Sequence, residues 1–377
     1  MCTHKYLFSI TRLSINIPLS FQHESPMSMT TPVTIPRSWY SSADIFALER
    51  ENIFRKHWWM IAREDQLAQP GDYIATTLAQ WPLVITRDQQ GELRGFHNVC
   101  RHRAGPLLRD GVGKCKGFVC RYHGWRYDSA GSLLKTPGLK AQEEIDYAKF
   151  SLFPIRVACW NQMLFVCLDD STPDLLDWLG DIVPIAANFP ANASMRYQSE
   201  VVKTGDVNWK AYGDNSCEGY HVGMVHKVLG GSLERETVKI DPYENGEFVG
   251  FDVTYEATGG DHTRDGKGFW IYKFPGLLLH FSEFSFNVES VFPLAYNRVK
   301  LTRWFWVDAE QAAKRNIDPD NMREASEKVM QEDMEICTLV QRNLDAGIYQ
   351  SGHLSPREEV GTIYFQQLVR RALEKHL

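Results

Sequence analysis

Basic runs, bilayer-length apolar stretches, dense cysteine, internal repeats and low-complexity blocks are all missing from these 377 residues. A net charge of −6 and a pI near 6.1 argue against a nucleic-acid surface. No apolar run reaches the roughly 18 residues a membrane helix needs. Eight cysteines are too sparse for a disulfide scaffold. The chain also lacks a flavin or nicotinamide fingerprint, so it does not itself collect electrons from NAD(P)H. Free thiols and no secretory signal make a cytoplasmic profile.

The length allows two or three domains and a large core. Residues 1–29 read as a disordered or non-native extension, with initiation at Met27 or Met29. A loosely transit-like composition is the competing reading. Ser41 or Ser42 can cap a helix whose apolar residues Ile45, Leu48, Ile53 and Phe54 recur through about Lys56. From Gly71 short alternating runs follow at Tyr73–Leu78, Pro82–Arg87 and Leu93–Val99, with a hairpin turn at Asp88–Gly91. Strands continue at Gly117–Cys120, Trp125–Tyr127 and Met163–Leu168, so residues 57–170 form a small antiparallel β domain.

The stretch Asp170–Ala193 is the best boundary. Strands are predicted beyond it near Met195–Val202, Phe248–Ala257, Trp270–Phe274, Leu277–Phe281, Phe284–Phe292 and Val299–Val307. A glycine-rich loop at Ala257–Gly268 reads as a mobile lid. A long helix over about Asn321–Ala346 and a shorter one near Gly361–Leu373 complete an α+β second domain, 171–377.

Two segments carry chemistry. Cys100-Arg-His102, seventeen residues, then Cys120-Arg-Tyr-His123 gives C-x-H…C-x-x-H. Two thiolates and two imidazoles on adjacent β-loops suit tetrahedral zinc or a Rieske [2Fe–2S] cluster. Gly105, Pro106 and Gly124 in the flanks let backbone N–H groups approach sulfur, which favours the cluster. Downstream, Asp206–Leu229 packs Asp214, Glu218, His221 and His226 among Trp209, Tyr212 and Tyr220. Two imidazoles and one carboxylate on a common face form an iron site with open positions. Five residues between the histidines are about 140° on an ideal helix, so an irregular helix or bulge is expected.

The carboxylate follows from periodicity. In the long helix Met322, Ser326, Val329, Ile336, Cys337, Val340 and Leu344 make one stripe. Asp333 falls within it, whereas Glu327, Glu332 and Glu335 fall outside. A charge facing a core needs a metal or a partner such as a buried arginine. Glu218, three residues before His221, lies on its helical face and can hold the free imidazole nitrogen. Asp214 reads as a helix or hydrogen-bond residue.

With these motifs in this order, residues from about Pro36 to Leu373 resemble the Rieske non-haem iron oxygenases, specifically the large catalytic subunit. The resemblance implies a small antiparallel β Rieske domain, a helix at 30–56 on the catalytic domain, and a helix-grip (START-like) catalytic domain. It implies Cys100, His102, Cys120 and His123 as cluster ligands and His221, His226 and Asp333 as ligands of a mononuclear Fe(II). Asp333 takes that role within Glu332-Asp333-Met-Glu-Ile-Cys337. By the same analogy Glu218 bridges His221 to His123 of a neighbouring subunit, so electrons cross between chains of a homotrimer. NAD(P)H electrons come through a flavin or iron–sulfur reductase, and one atom of dioxygen enters a small substrate. PRSWY near the start, E-G-Y-H and LSPREEVGTIYFQQLVRRAL look similar to the choline and betaine branch, which acts on trimethylammonium compounds. Hydroxylation or O-demethylation of an aromatic acid is the alternative. An electron carrier would not need the second domain, and a binding protein without oxygenase activity would not need the iron residues.

Overall fold

The computed structural model describes residues 32–139, 145–189, 194–226, 238–255 and 266–377. The N-terminal extension expected over 1–29 therefore lies outside the described residues. So does the predicted lid up to residue 265; its last three residues instead begin a strand.

The N-terminal part is built on hairpins. Strands β1 (Trp59–Arg63), β2 (Asp72–Leu78), β3 (Trp81–Arg87), β4 (Leu93–His97) and β5 (Gly111–Lys114) are joined by β9 (Pro154–Trp160) and β10 (Met163–Cys167), every neighbouring pair antiparallel. Together they form one seven-stranded sheet in the order β1-β10-β9-β4-β3-β2-β5. Between β5 and β9, strands β6 (Gly117–Val119), β7 (Arg126–Asp128) and β8 (Leu133–Lys135) make a separate three-stranded sheet. Tight turns set the register. Ala79-Gln80 and Asn161-Gln162 all sit at positive φ, which matches the twist of the strands they join.

The expected boundary at 170–193 contains two short helices, α2 (Leu175–Leu179) and α3 (Ile182–Ala186). Leu175, Trp178, Leu179 and Ile182 are buried, so hydrophobic docking orders these two helices despite the prolines and aspartates around them. The second sheet has β11 (Arg196–Gly205), β12 (Lys239–Tyr243), β13 (Phe248–Tyr255), β14 (Gly266–Lys273), β15 (Leu277–Ser282), β16 (Ser285–Ala295) and β17 (Arg298–Val307). Its order, β11-β17-β16-β15-β14-β13-β12, is a meander with the first strand added beside the last.

Helix α1 (Ala43–Asn52) starts where the Ser42 hydroxyl accepts from the Asp44 and Ile45 amides. Helices α4 (Trp209–Ser216) and α5 (Val222–Val225) carry the central window, and α6 (Ala309–Lys314) leads into α7 (Pro319–Asp345) and α8 (Val360–Leu373). The buried stripe of α7 is Met322, Ser326, Met330, Met334, Cys337, Gln341 and Leu344. Val340, expected to be buried, is exposed, since it falls at the edge of the stripe rather than at its centre. One apolar core runs through both large sheets, and a smaller cluster of Phe118, Trp125, Tyr127 and Leu133 lies around the buried Cys100 and Cys120. No described helix is long and apolar enough to cross a membrane.

Candidate metal centres

The first centre is assembled from two loop tips. In each, a backbone bond closes the turn that holds the cysteine, Ala104 N–H to the Cys100 carbonyl at 3.1 Å and Gly124 N–H to the Cys120 carbonyl at 2.9 Å. Cys100 and Cys120 are buried and their thiols lie in hydrogen-bonding contact; burial raises the Cys100 thiol above its ordinary value. Tyr127 ties the site down: its hydroxyl lies 3.3 Å from the Cys100 sulfur and accepts from Arg101 N–H at 3.1 Å. His102 and His123 face each other with Nδ1 atoms 3.1 Å apart. Trp125 stacks on His102 with ring centroids 4.9 Å apart, and Tyr122 lies against His123 at 3.8 Å. A Cβ on Gly105 would come within 2.8 Å of the Cys120 sulfur, so glycine is required where backbone meets thiol.

The four donors separate into a cysteine pair and a histidine pair. Among the described residues, the only histidine, cysteine and carboxylate side chains that close on a single point are His221, His226 and Asp333. A tetrahedral zinc would draw all four Cys and His donors within that range. A two-iron cluster takes the thiolates on one iron and the imidazoles on the other, which is the division seen.

The second centre lies where the central window breaks its helix. Helix α4 ends at Ser216, the chain bends through Cys217–Tyr220, and α5 supplies a single turn. His221 precedes that turn and His226 closes it, so the break solves the angular mismatch of the five-residue spacing. Asp333 reaches in from α7. Its Oδ1 is 2.9 Å from His226 Nε2 and 3.4 Å from His221 Nε2, and the three ligand atoms lie within 4.8 Å of one another. Burial opposes a proton on His221, but the Asp333 and Glu218 hydrogen bonds outweigh it and raise the imidazole to about 9. Burial likewise pushes Asp333 up, yet the two histidines hold it well below the usual carboxylate range. Burial also opposes a proton on His226, and its contacts with Asp333 and Glu332 raise it; two such imidazoles around one carboxylate fit a divalent cation that takes the place of protons.

Outer contacts fix these ligands. Glu218 Oε1 is 2.5 Å from His221 Nδ1, and its other oxygen accepts from Tyr220 and His221 N–H. The same-face helical geometry expected for Glu218 is not present; the contact forms because the chain bends there rather than coils. Asn215 donates to Asp333 Oδ1 at 2.8 Å. Sequence reasoning missed Glu332, whose Oε2 is 2.8 Å from His226 Nδ1. It lies off the apolar stripe, and only the position of the α5 turn brings His226 to it. Asp214 is half-buried and accepts from Tyr40 Oη at 2.6 Å and Gln366 Nε2 at 2.9 Å.

A cavity of about 360 Å³ opens beside the triad. Phe251, Trp270, Phe281 and Phe284 line it, whereas Tyr272, Phe274, Phe286, Trp304 and Trp306 are buried without lining it. Arg303 also lines it but is committed to Glu289 at 2.6 Å and to the Ser326 hydroxyl at 2.6 Å. At the rim, the exposed Arg357 pairs with Glu358 at 3.3 Å.

Comparison with known proteins finds a match for each of the two parts of the chain that carry these centres. A model described as the Rieske [2Fe-2S] domain matches residues 57–159, and one described as the ring hydroxylating alpha subunit (catalytic domain) matches 192–375. The chain is 28% identical to the chloroplastic choline monooxygenase of Spinacia oleracea over 353 residues, 90% of this chain and 78% of that one. It is 25% identical to the glycine betaine monooxygenase oxygenase subunit of Chromohalobacter salexigens, over 88% and 84% of the two chains. A solved quaternary ammonium Rieske monooxygenase of carnitine oxidation has the same fold, with a TM-score of 0.78 at 24% identity over 91% of this chain and 96% of that one. Naphthalene 1,2-dioxygenase gives a TM-score of 0.69 at 19% identity, covering 89% and 92%.

Proposed function

The chain belongs to the Rieske non-haem iron oxygenases, and from that premise we propose that it hydroxylates or oxidatively demethylates a small quaternary ammonium compound. The observation that carries this reading is the cavity wall next to the triad. The aromatic residues Phe251, Trp270, Phe281 and Phe284 line a volume of about 360 Å³, a size for one small molecule. A trimethylammonium group is attracted to such faces without needing a carboxylate, and aromatic surroundings exclude water from it. An aromatic acid would instead need a buried cation. Arg303, the buried guanidinium lining the cavity among the described residues, is already neutralised by Glu289. The relatives named for choline, glycine betaine and carnitine point the same way.

In this reading Cys100, Cys120, His102 and His123 hold the [2Fe–2S] cluster, and His221, His226 and Asp333 hold the mononuclear iron. When bound, these groups supply electron transfer and dioxygen activation. The protein does the remainder. Glu218 and Glu332 orient the two imidazoles, each at the nitrogen turned away from Asp333. Asn215 fixes the carboxylate. The aromatic wall sets the substrate beside the ligands and keeps water out.

Electrons come from NAD(P)H through a separate reductase, and they pass between chains of a ring, most simply a homotrimer. The exposed tyrosines Tyr122, beside His123, and Tyr220, beside Glu218, support this, since each is a large apolar side chain left in solvent at one end of the proposed relay. We divide the chain at about residue 170, with Glu49 of the N-terminal helical segment held to the second part through its buried pair with Lys210.

The test is metal analysis with a substrate panel. Iron-replete protein should carry about three irons per chain, two in the cluster and one at the triad. With a surrogate reductase, choline-, betaine- and carnitine-type compounds should release aldehyde or formaldehyde. Phenol formation from an aromatic acid, with no turnover of any ammonium compound, would overturn the reading.

A further inference from the structure

One polar group in the cavity has nothing to bind. Asn287, on β16, lines the cavity, and its Oδ1 is buried without a hydrogen-bond partner. The neighbouring hydroxyls of Ser282 and Ser285 satisfy each other at 2.8 Å, so they do not serve it. Buried acceptors are almost always paired, so an unpaired one on a residue that lines a cavity calls for an explanation, and a bound molecule toward which the carboxamide turns supplies one.

Its place in the sheet tells what that ligand is. Phe251 pairs with Trp270, Trp270 with His280, and His280 with Asn287, so the four form one cross-strand row. Directly paired residues share a face of the sheet. The row runs from aromatic surface, with Phe251 and Trp270 rings 6.3 Å apart and Trp270 stacked on His280 at 5.4 Å, to a lone carboxamide. A molecule lying along it has a cationic apolar end and an uncharged hydrogen-bonding end. A carboxylate there would need a cation to offset its desolvation, and a carboxamide is a poor substitute. Arg303 is committed to Glu289. A hydroxyl suits an amide, because it can donate to Oδ1 or accept from Nδ2.

Resting on the quaternary ammonium reading, we infer that Asn287 is a specificity-determining residue that hydrogen-bonds a substrate hydroxyl. The pocket thus selects an ammonium alcohol over a carboxylated betaine.

The experiment measures binding to the iron-loaded enzyme by anaerobic calorimetry, with four probes: choline, ethyltrimethylammonium (the same cation without the hydroxyl), glycine betaine and benzoate. Wild-type protein should bind choline about tenfold more tightly than ethyltrimethylammonium, the worth of one well-made hydrogen bond. It should also prefer choline to glycine betaine. In Asn287→Ala the choline advantage over ethyltrimethylammonium should vanish while ethyltrimethylammonium binds as before. Equal wild-type affinity for choline and ethyltrimethylammonium, or a preference for glycine betaine, overturns the role of Asn287 and leaves the quaternary ammonium reading standing. Binding of benzoate with none of the three ammonium compounds overturns both. The wild-type comparison decides even if the variant does not fold.

Discussion

At the scale of single residues, two carboxylates near the iron site do different work. Glu332 meets His226 Nδ1 at 2.8 Å from a half-exposed position. Such a contact sets the tautomer and the orientation of the ring, so Glu332→Gln should weaken iron binding at the triad by about 10- to 100-fold. Competition with a chelator measures it, and the cluster spectrum should not change. Asp214 lies off the ligand set. Burial, the dominant influence, raises it to about 7 against the hydrogen bonds from Tyr40 and Gln366. The folded state therefore holds a proton that the unfolded chain releases near the ordinary aspartate value. Stability should fall as pH rises from about 4 to 7, by about 1.4 kcal/mol per unit at most, and stay reduced above that. Asp214→Asn removes the penalty, so its melting temperature should exceed wild type by more at pH 8 than at pH 5. An equal offset at both values would sink the assignment.

At the scale of elements, the site depends on a close approach that only glycine permits. A Cβ on Gly361, in the first turn of α8, would overlap the Cys217 carbonyl and come within 2.7 Å of Val249. Cys217 begins the bend that carries Glu218 and His221, so α8 braces the break between α4 and α5. Gly361→Ala should cost about 1–3 kcal/mol through overpacking. It should lose iron from the triad before the cluster colour fades, because the cluster sits in a different sheet. Retained iron at an unaltered melting temperature would show that the bend is not braced there.

The same elements explain what the sequence could and could not disclose. The meeting of Cys100 with Cys120 and of His102 with His123 was legible because metal-type pairs at loop tips come in short, fixed spacings. Asp333 was legible because a charge inside an apolar stripe stands out at helical period. The strands of the second sheet other than β12 were legible from their apolar runs, each within a few residues of its observed limits. β1, β5, β8, β9 and β12 were not, since short or half-exposed strands carry little alternation. The turn at Ala79-Gln80 has neither glycine nor asparagine to signal it. Glu332 and Asn287 were invisible for another reason: their roles arise only when a broken helix and a cross-strand row bring distant segments together.

At the scale of the whole molecule, the proposed passage of electrons between chains makes an asymmetric prediction. The two halves of the chemistry would then come from different subunits in a head-to-tail ring, and each half can be disabled separately. Cys100→Ser spoils the cluster but leaves the triad, and Asp333→Ala does the reverse. Either variant alone should be inactive. Co-assembled in equal amounts, they should recover about a quarter of wild-type turnover, since random assortment puts a cluster-bearing chain on the correct side of an iron-competent one at about a quarter of interfaces. Glu218→Gln then separates relay from scaffold. Added to the Cys100→Ser chain, whose triad receives the electron, it should abolish the recovery. Added to the Asp333→Ala chain, whose own triad is already dead, it should leave the recovery intact. Equal loss in both arrangements would mean Glu218 matters to folding or assembly, and no recovery in the first mixture would return the electron path to a single chain.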